Sequence, residues 1–224
     1  MKKLTLFSIF LAAVVIILGA YTRLTDAGLG CPDWPGCYGH MTVPLSEEKV
    51  AQANAAFPER PVEASKAWNE MIHRYFAGTL GLCVLAIAII AVKQRKTGVP
   101  VRLPLLLLGL IIFQAALGMW TVTLNLLPVV VMGHLLGGFS VLSCLFILYL
   151  RLRNTAYKLP KNNDTPSASE MHDNAIGDLP QAKVFQRNLK RFAFIGLGVL
   201  VTQIALGGWT SANYAALACT EMPV

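Results

Sequence analysis

The sequence predicts an all-α integral membrane protein: a four-helix transmembrane bundle followed by the first helix of a second, parallel repeat. Three observations carry this. Of 224 residues, 55% are hydrophobic and 14% charged, whereas a soluble domain carries about 25% charged residues. Five apolar runs are long enough to cross a hydrocarbon core, which takes about 20 helical residues. The end of the chain also repeats the phrase that follows its first apolar run.

The runs cover residues 4–21, 71–92, 103–122, 129–150 and 192–209. The first follows "MKK" and has the length of a secretion signal. However, Leu18 stands two residues before Ala20, where cleavage needs a small side chain, so this run is read as a retained helix. The formal charge of +7 does not point to nucleic acid, because of where the charge lies. Lys93, Arg95, Lys96 and Arg102 share one loop, and residues 151–191 hold eight basic against four acidic residues. The 22–69 loop holds four basic and six acidic residues. By the positive-inside rule the N-terminus is cytoplasmic and the 22–69 loop lies on the outer face, as in the inner membrane of a bacterium.

"GAYTRLTDAGLGCPDWP" (19–35) aligns without a gap on "GGWTSANYAALACTEMP" (207–223). The match pairs Gly19 with Gly207, Thr22 with Thr210, Cys31 with Cys219 and Pro35 with Pro223. "QAALGMWT" in the third run matches "QIALGGWT" in the fifth. Small residues of this kind suit close helix packing in membranes in general. The cysteine–acid–proline match outside the helix has no such generic explanation. The expected organisation is a four-helix unit over residues 1–150, a cytoplasmic linker over 151–191, and the opening of a second unit over 192–224. Because the second unit breaks off, the chain is expected to be truncated. The linker's centre, "PKNNDTPSASEMHDNAIGDLP", has the composition of a mobile segment, and His172 within it is read as solvated.

Ionisable groups at membrane depth are costly and mark candidate sites. Here they are Glu70, His73 and Arg74 at the head of the second run, and His134 in the fourth. Both runs enter from the outer face, and at about 1.5 Å per residue the two histidines reach similar depth. One imidazole from each of two helices is what a bis-histidine haem requires. Ala77 and Gly81 follow His73 on its face, and Gly137 and Gly138 follow His134. They would leave room for a flat macrocycle, or equally serve ordinary close packing. Glu70, one turn before His73, is suited to proton handling, or to a plain interaction with the helix dipole. Arg74 could hold haem propionates or snorkel to the interface. In the outer loop, Cys31, Cys37 and His40 suggest a metal site. Zinc cysteines, however, are usually two to four residues apart, five residues intervene here, and no fourth ligand is evident. A local Cys31–Cys37 disulfide is the preferred reading. Cys83 and Cys144, inside apolar runs, read as small hydrophobes.

"GAYTRLTDAGLGCPDWPGC", the ExxHR of residues 70–74, the LGxxTV of residues 117–122 and "PVVVMGHLLGG" together resemble the haem A synthase family. The resemblance implies eight helices in two four-helix halves, and oxidation of a haem O methyl group to the formyl of haem A for terminal-oxidase assembly. It implies haem O held by His73 and His134, Glu70 as the catalytic carboxylate, and Cys31 with Cys37 as the outer cysteine pair. Two successive oxygenations, through an alcohol and a hydrated aldehyde, would complete the reaction. A second, b-type haem is implied only for a longer chain. The implied partners are lipids, haem O, the haem O synthase that supplies it, and in some settings another copy of the chain. Two other readings compete: a thiol–quinone oxidoreductase using Cys31 and Cys37, and a non-catalytic haem-binding assembly or electron-transfer subunit.

Overall fold

A computed structural model describes residues 1–97, 99–157 and 180–213. His172, Cys219 and most of the expected linker lie outside the described residues. Six α-helices run in order: α1 (Lys2–Leu24), α2 (Glu47–Ala56), α3 (Ala64–Lys93), α4 (Arg102–Thr123), α5 (Pro128–Tyr157) and α6 (Pro180–Ala212). All but α2 are long and apolar enough to span a membrane, so the protein is an all-α integral membrane protein, as expected.

Two helix starts differ from expectation. α3 begins at Ala64 rather than 71, and α6 at Pro180 rather than 192. Hydropathy marks where the hydrocarbon would begin, whereas a helix continues as long as its residues favour it. The leading segments "ASKAWNE" and "QAKVFQRNLKR" are rich in good helix formers, and proline suits the first helical position of α6. The short α2 inside the 22–69 loop was not anticipated. The hydroxyl of Ser46 caps it by accepting from the Lys49 N–H at 3.4 Å, and Glu47 and Glu48 occupy its first turn, where acids favour the helix dipole.

Four of the five long helices close on themselves: α1 packs on α3, α3 on α4, α4 on α5, and α5 back on α1. The bundle buries two separate apolar clusters. At the end carrying Met1, Leu11, Ala12, Leu80, Val84, Ile87, Leu107, Val141, Leu145 and Leu148 interlock. There the Lys2 ammonium lies 5.9 Å from the centre of the Tyr149 ring. At the opposite end the 22–69 loop folds into a cap. Its own core joins Cys31, Cys37, Tyr38, Val43 and Ala53 to Ala67 and Met71 of α3. Between the two clusters lies a thin layer of polar side chains and glycines.

α6 stands against α5. Met132 and Leu135, early in α5, lie 2.7 Å from the position a Cβ would take on Gly208, late in α6. The two helices are therefore antiparallel, and α6 runs parallel to α1. At the cap end Arg23 of α1 donates to the Ser211 carbonyl of α6. The spanning part of α6 is otherwise uncovered, with Phe192 and Phe194 more than 70% exposed.

The cap sits on α3 at one close backbone contact. A methyl group on Gly30 would lie 2.6 Å from the Lys66 carbonyl carbon and 2.8 Å from the Ala67 nitrogen. Neither neighbour can rotate away, because both belong to the helix backbone. Gly30→Ala should therefore lift the cap and destabilise the protein by about 1–3 kcal/mol. Gly109→Ala, where no atom lies within 4 Å of the added methyl, should be neutral or slightly stabilising. Thermal unfolding of the two variants in detergent measures the difference.

Candidate functional site

His73 on α3 and His134 on α5 meet in the polar layer. Their ring centres are 6.5 Å apart and their planes lie at 84°. The two histidines expected at matched depth are thus brought together, edge to face. Each Nδ1 is buried and has no hydrogen-bond partner. In a protein interior such atoms are normally satisfied, so both imidazoles have capacity to spare.

Each ring rests on a glycine of a neighbouring helix. A Cβ on Gly19 of α1 would lie 3.0 Å from His73 Cε1, 3.5 Å from its Nδ1 and 3.6 Å from its Nε2. A Cβ on Gly118 of α4 would lie 3.4 Å from His134 Cε1. The α4–α5 contact is reciprocal. Leu117 packs over Gly133, and the Gln114 side chain fills the place a Cβ would take on Gly137. Gln114 is itself buried, and its Nε2 has no partner. Of the small residues expected to make room for a macrocycle, Gly81 faces open space, while Gly137 is occupied by Gln114.

One turn toward the cap, Glu70 is only 4% exposed. Its carboxylate accepts the Cys31 N–H at 2.9 Å and the Arg74 guanidinium. Arg74 Nη1 also donates to the Asp33 carbonyl at 2.9 Å, the Pro35 carbonyl at 3.3 Å and the Gly36 carbonyl. The Asp33 side chain accepts the N–H groups of Tyr38 and Gly39 at 2.7 Å each. Cys31 and Cys37 form a disulfide, and both are fully buried. The peptide groups of Cys37 and His40 bond to each other across the turn. The metal site considered for Cys31, Cys37 and His40 is therefore replaced by a cross-linked turn. Burial, with the Glu63 and Glu70 charges next, holds the Tyr38 phenol above its ordinary range. It remains an O–H donor to the Pro61 carbonyl, at 3.1 Å.

Arg74 turns into the cap, where its donors reach Glu70 and the loop carbonyls. The sequence reading passed over Gln114, Gly19 and Gly118. A signal for them existed, because all three lie in the repeated phrases around 16–22, 114–121 and 203–210. In the sequence that repetition points to a second unit and to close helix packing, and neither singles out these residues.

A family model described as "Cytochrome oxidase assembly protein" matches residues 2–224. A heme A synthase of Shewanella oneidensis is 51% identical over 94% of this chain and 57% of its own length. Heme A synthases of Shouchella clausii and Geobacillus kaustophilus are each 30% identical, over 67% and 65% of this chain. The chain spans about half the length of these relatives, 57%, 44% and 41% respectively. No solved structure matches it.

The Glu70–Arg74 pair is largely buried, with side chains 6% and 12% exposed. Removing one partner strands the other, at a cost of about 3–5 kcal/mol. Arg74→Ala should lower the melting temperature sharply and open the cap to proteolysis. Lys66→Ala, which breaks an exposed pair with Glu63, should change stability by less than about 1 kcal/mol. Parallel thermal melts and limited proteolysis compare the two.

Proposed function

The chain belongs to the cytochrome oxidase assembly protein family, and from that premise we propose that it is a haem-dependent oxidoreductase of the haem A synthase type. The reaction is conversion of the haem O methyl to the formyl of haem A, for terminal-oxidase assembly. The observation that carries this is the His73–His134 pair. Two imidazoles sharing one metal at about 2 Å per bond hold their ring centres about 6–6.5 Å apart, and these are 6.5 Å apart. The unpartnered buried nitrogens suit the same arrangement. His73 and His134 would hold substrate haem O through its iron. Bound haem supplies the redox chemistry, and the protein supplies placement and proton handling.

Glu70 is the carboxylate for that second task. It lies three residues before His73 on α3, at the edge of the layer between bundle and cap. Its hydrogen bonds to the Cys31 N–H and to Arg74 fix the carboxylate in place, where it can exchange a proton or stabilise positive charge developing nearby. Arg74 acts by holding both Glu70 and the cap in register, and in this reading it does not bind the haem directly. The cap closes the layer from one end and keeps water from the reacting carbon. Burial of both disulfide sulfurs argues against thiol exchange as the main activity.

The unit that does this work spans residues 1–150, with 192–224 opening a second unit and the basic 151–191 segment between them. The Lys93, Arg95, Lys96 and Arg102 loop lies at the opposite end from the cap. That arrangement supports an inner-membrane orientation with the N-terminus cytoplasmic and the cap outside. Haem O, and the synthase supplying it, are the expected partners.

Purified protein from haem-replete cells should show a low-spin bis-histidine spectrum that His73→Ala or His134→Ala abolishes. A colourless wild-type preparation would remove the ligand assignment. For turnover, haems are extracted from cells co-expressing a haem O source with the chain, alone and extended to the length of its relatives. Glu70→Gln keeps an acceptor for the Cys31 N–H and should retain haem, while formation of haem A falls to background. Undiminished haem A in that variant would remove Glu70 from the chemistry.

A further inference from the structure

The glycine under each histidine occupies the same place in the same phrase. "LGAYT" ends α1 and "LGMWT" ends α4, and Gly19 and Gly118 are their second residues. In both phrases the threonine hydroxyl bonds back to the preceding turn, on α1 to the leucine and on α4 to the glycine. Thr22 Oγ1 donates back to the Leu18 carbonyl at 2.9 Å, and Thr121 Oγ1 donates back to the Gly118 carbonyl at 2.7 Å. Back-bonding of this kind bends a helix slightly, here just beyond each glycine. On α1 the same hydroxyl reaches the Asn69 carbonyl of α3 at 3.5 Å, one turn from His73. α1 is thereby tied to α3 at the level where Gly19 meets the imidazole.

These contacts are made at the ring edge. The edge of His73 from Nδ1 through Cε1 to Nε2 lies against Gly19, so the glycine limits how that ring can turn about its Cβ–Cγ bond. A methyl group there would press on Cε1 at 3.0 Å, closer than ordinary carbon contacts. At Gly118 the corresponding distance is 3.4 Å, at the edge of normal contact. The two seats therefore differ in tightness.

We propose that Gly19 and Gly118 are positioning residues that set the ring planes of His73 and His134, and that the Leu-Gly-x-aromatic-Thr phrase is a histidine seat. The proposal rests on the haem-ligand reading above. Neither glycine touches the haem; each acts through an imidazole. The roughly perpendicular ring planes are the property the seats hold.

The test uses the full chain purified with its haem, as wild type, Gly19→Ala, Gly118→Ala and the open-site control Gly109→Ala. Visible spectra, low-temperature electron paramagnetic resonance and the reduction midpoint are recorded for each. Ring-plane angle moves the low-spin ferric signal, so Gly19→Ala should shift that signal or convert part of it to high spin. Gly118→Ala should do so less, and Gly109→Ala not at all. Gly19→Ala with wild-type signal position, spin state and midpoint overturns the seat while leaving the ligand reading intact. Wild type lacking bound haem overturns both. Should Gly19→Ala fail to fold, Gly19→Ala/His73→Ala decides, by thermal unfolding against His73→Ala. Recovery to the His73→Ala level supports the seat, because the methyl then fills space the ring has left. A double variant as unstable as Gly19→Ala shows plain helix packing and overturns the proposal.

Discussion

The buried ion pair between Glu70 and Arg74 joins the two parts of this molecule. Glu70 reaches the Cys31 N–H, and Arg74 reaches three carbonyls of the 33–36 turn. Two charges taken out of water are costly, and they persist only where their remaining hydrogen-bonding capacity is met. Here the loop backbone meets it. The disulfide closes the same turn, so the shape the pair recognises is covalently maintained. Without the pair, the cap would keep its apolar contacts with α3 and a few peripheral hydrogen bonds, such as that of the Tyr75 hydroxyl to the Met41 carbonyl at 2.7 Å.

Beneath that joint, glycine lets polar side chains occupy the bundle interior. In a membrane, helices gain little from the hydrophobic effect against one another, so close backbone approach and shape matching decide how they pack. Gly19, Gly118 and Gly137 each accept a side chain from a facing helix, and two of those side chains are the histidines. The apolar cluster of Leu11, Ile87, Leu107, Leu145 and Leu148 then holds the helices together further along. The polar layer is bounded on one side by that cluster and on the other by the cap. That enclosure surrounds the two imidazoles, whose buried Nδ1 atoms have no partner.

α6 shows what a largely uncovered helix looks like beside a packed bundle. It meets α5 through Gly208, Met132 and Leu135, and elsewhere presents Phe192, Phe194, Ile195 and Val199 outward. Its phrase "LGGWT" repeats the back-bond of α1, with Thr210 Oγ1 donating to the Leu206 carbonyl at 2.9 Å, whereas in α4 the threonine bonds to the glycine one residue nearer.

By itself the sequence determined the membrane class, the five spanning helices, the matched depth of His73 and His134 and the cysteines of the disulfide turn. Those follow from local quantities: hydropathy, 1.5 Å of rise per residue, and the spacing of cysteines. Helix ends at Ala64 and Pro180 escaped it, because apolarity reports the bilayer and not the helix. The tertiary structure alone decided that Arg74 serves the cap, that Gln114 fills the space at Gly137, and that Gly19 and Gly118 lie under the histidines. Each of those depends on which faces of α1, α3, α4 and α5 meet. Helices whose apolar character runs almost all the way round carry no strong sequence mark of the face they will bury.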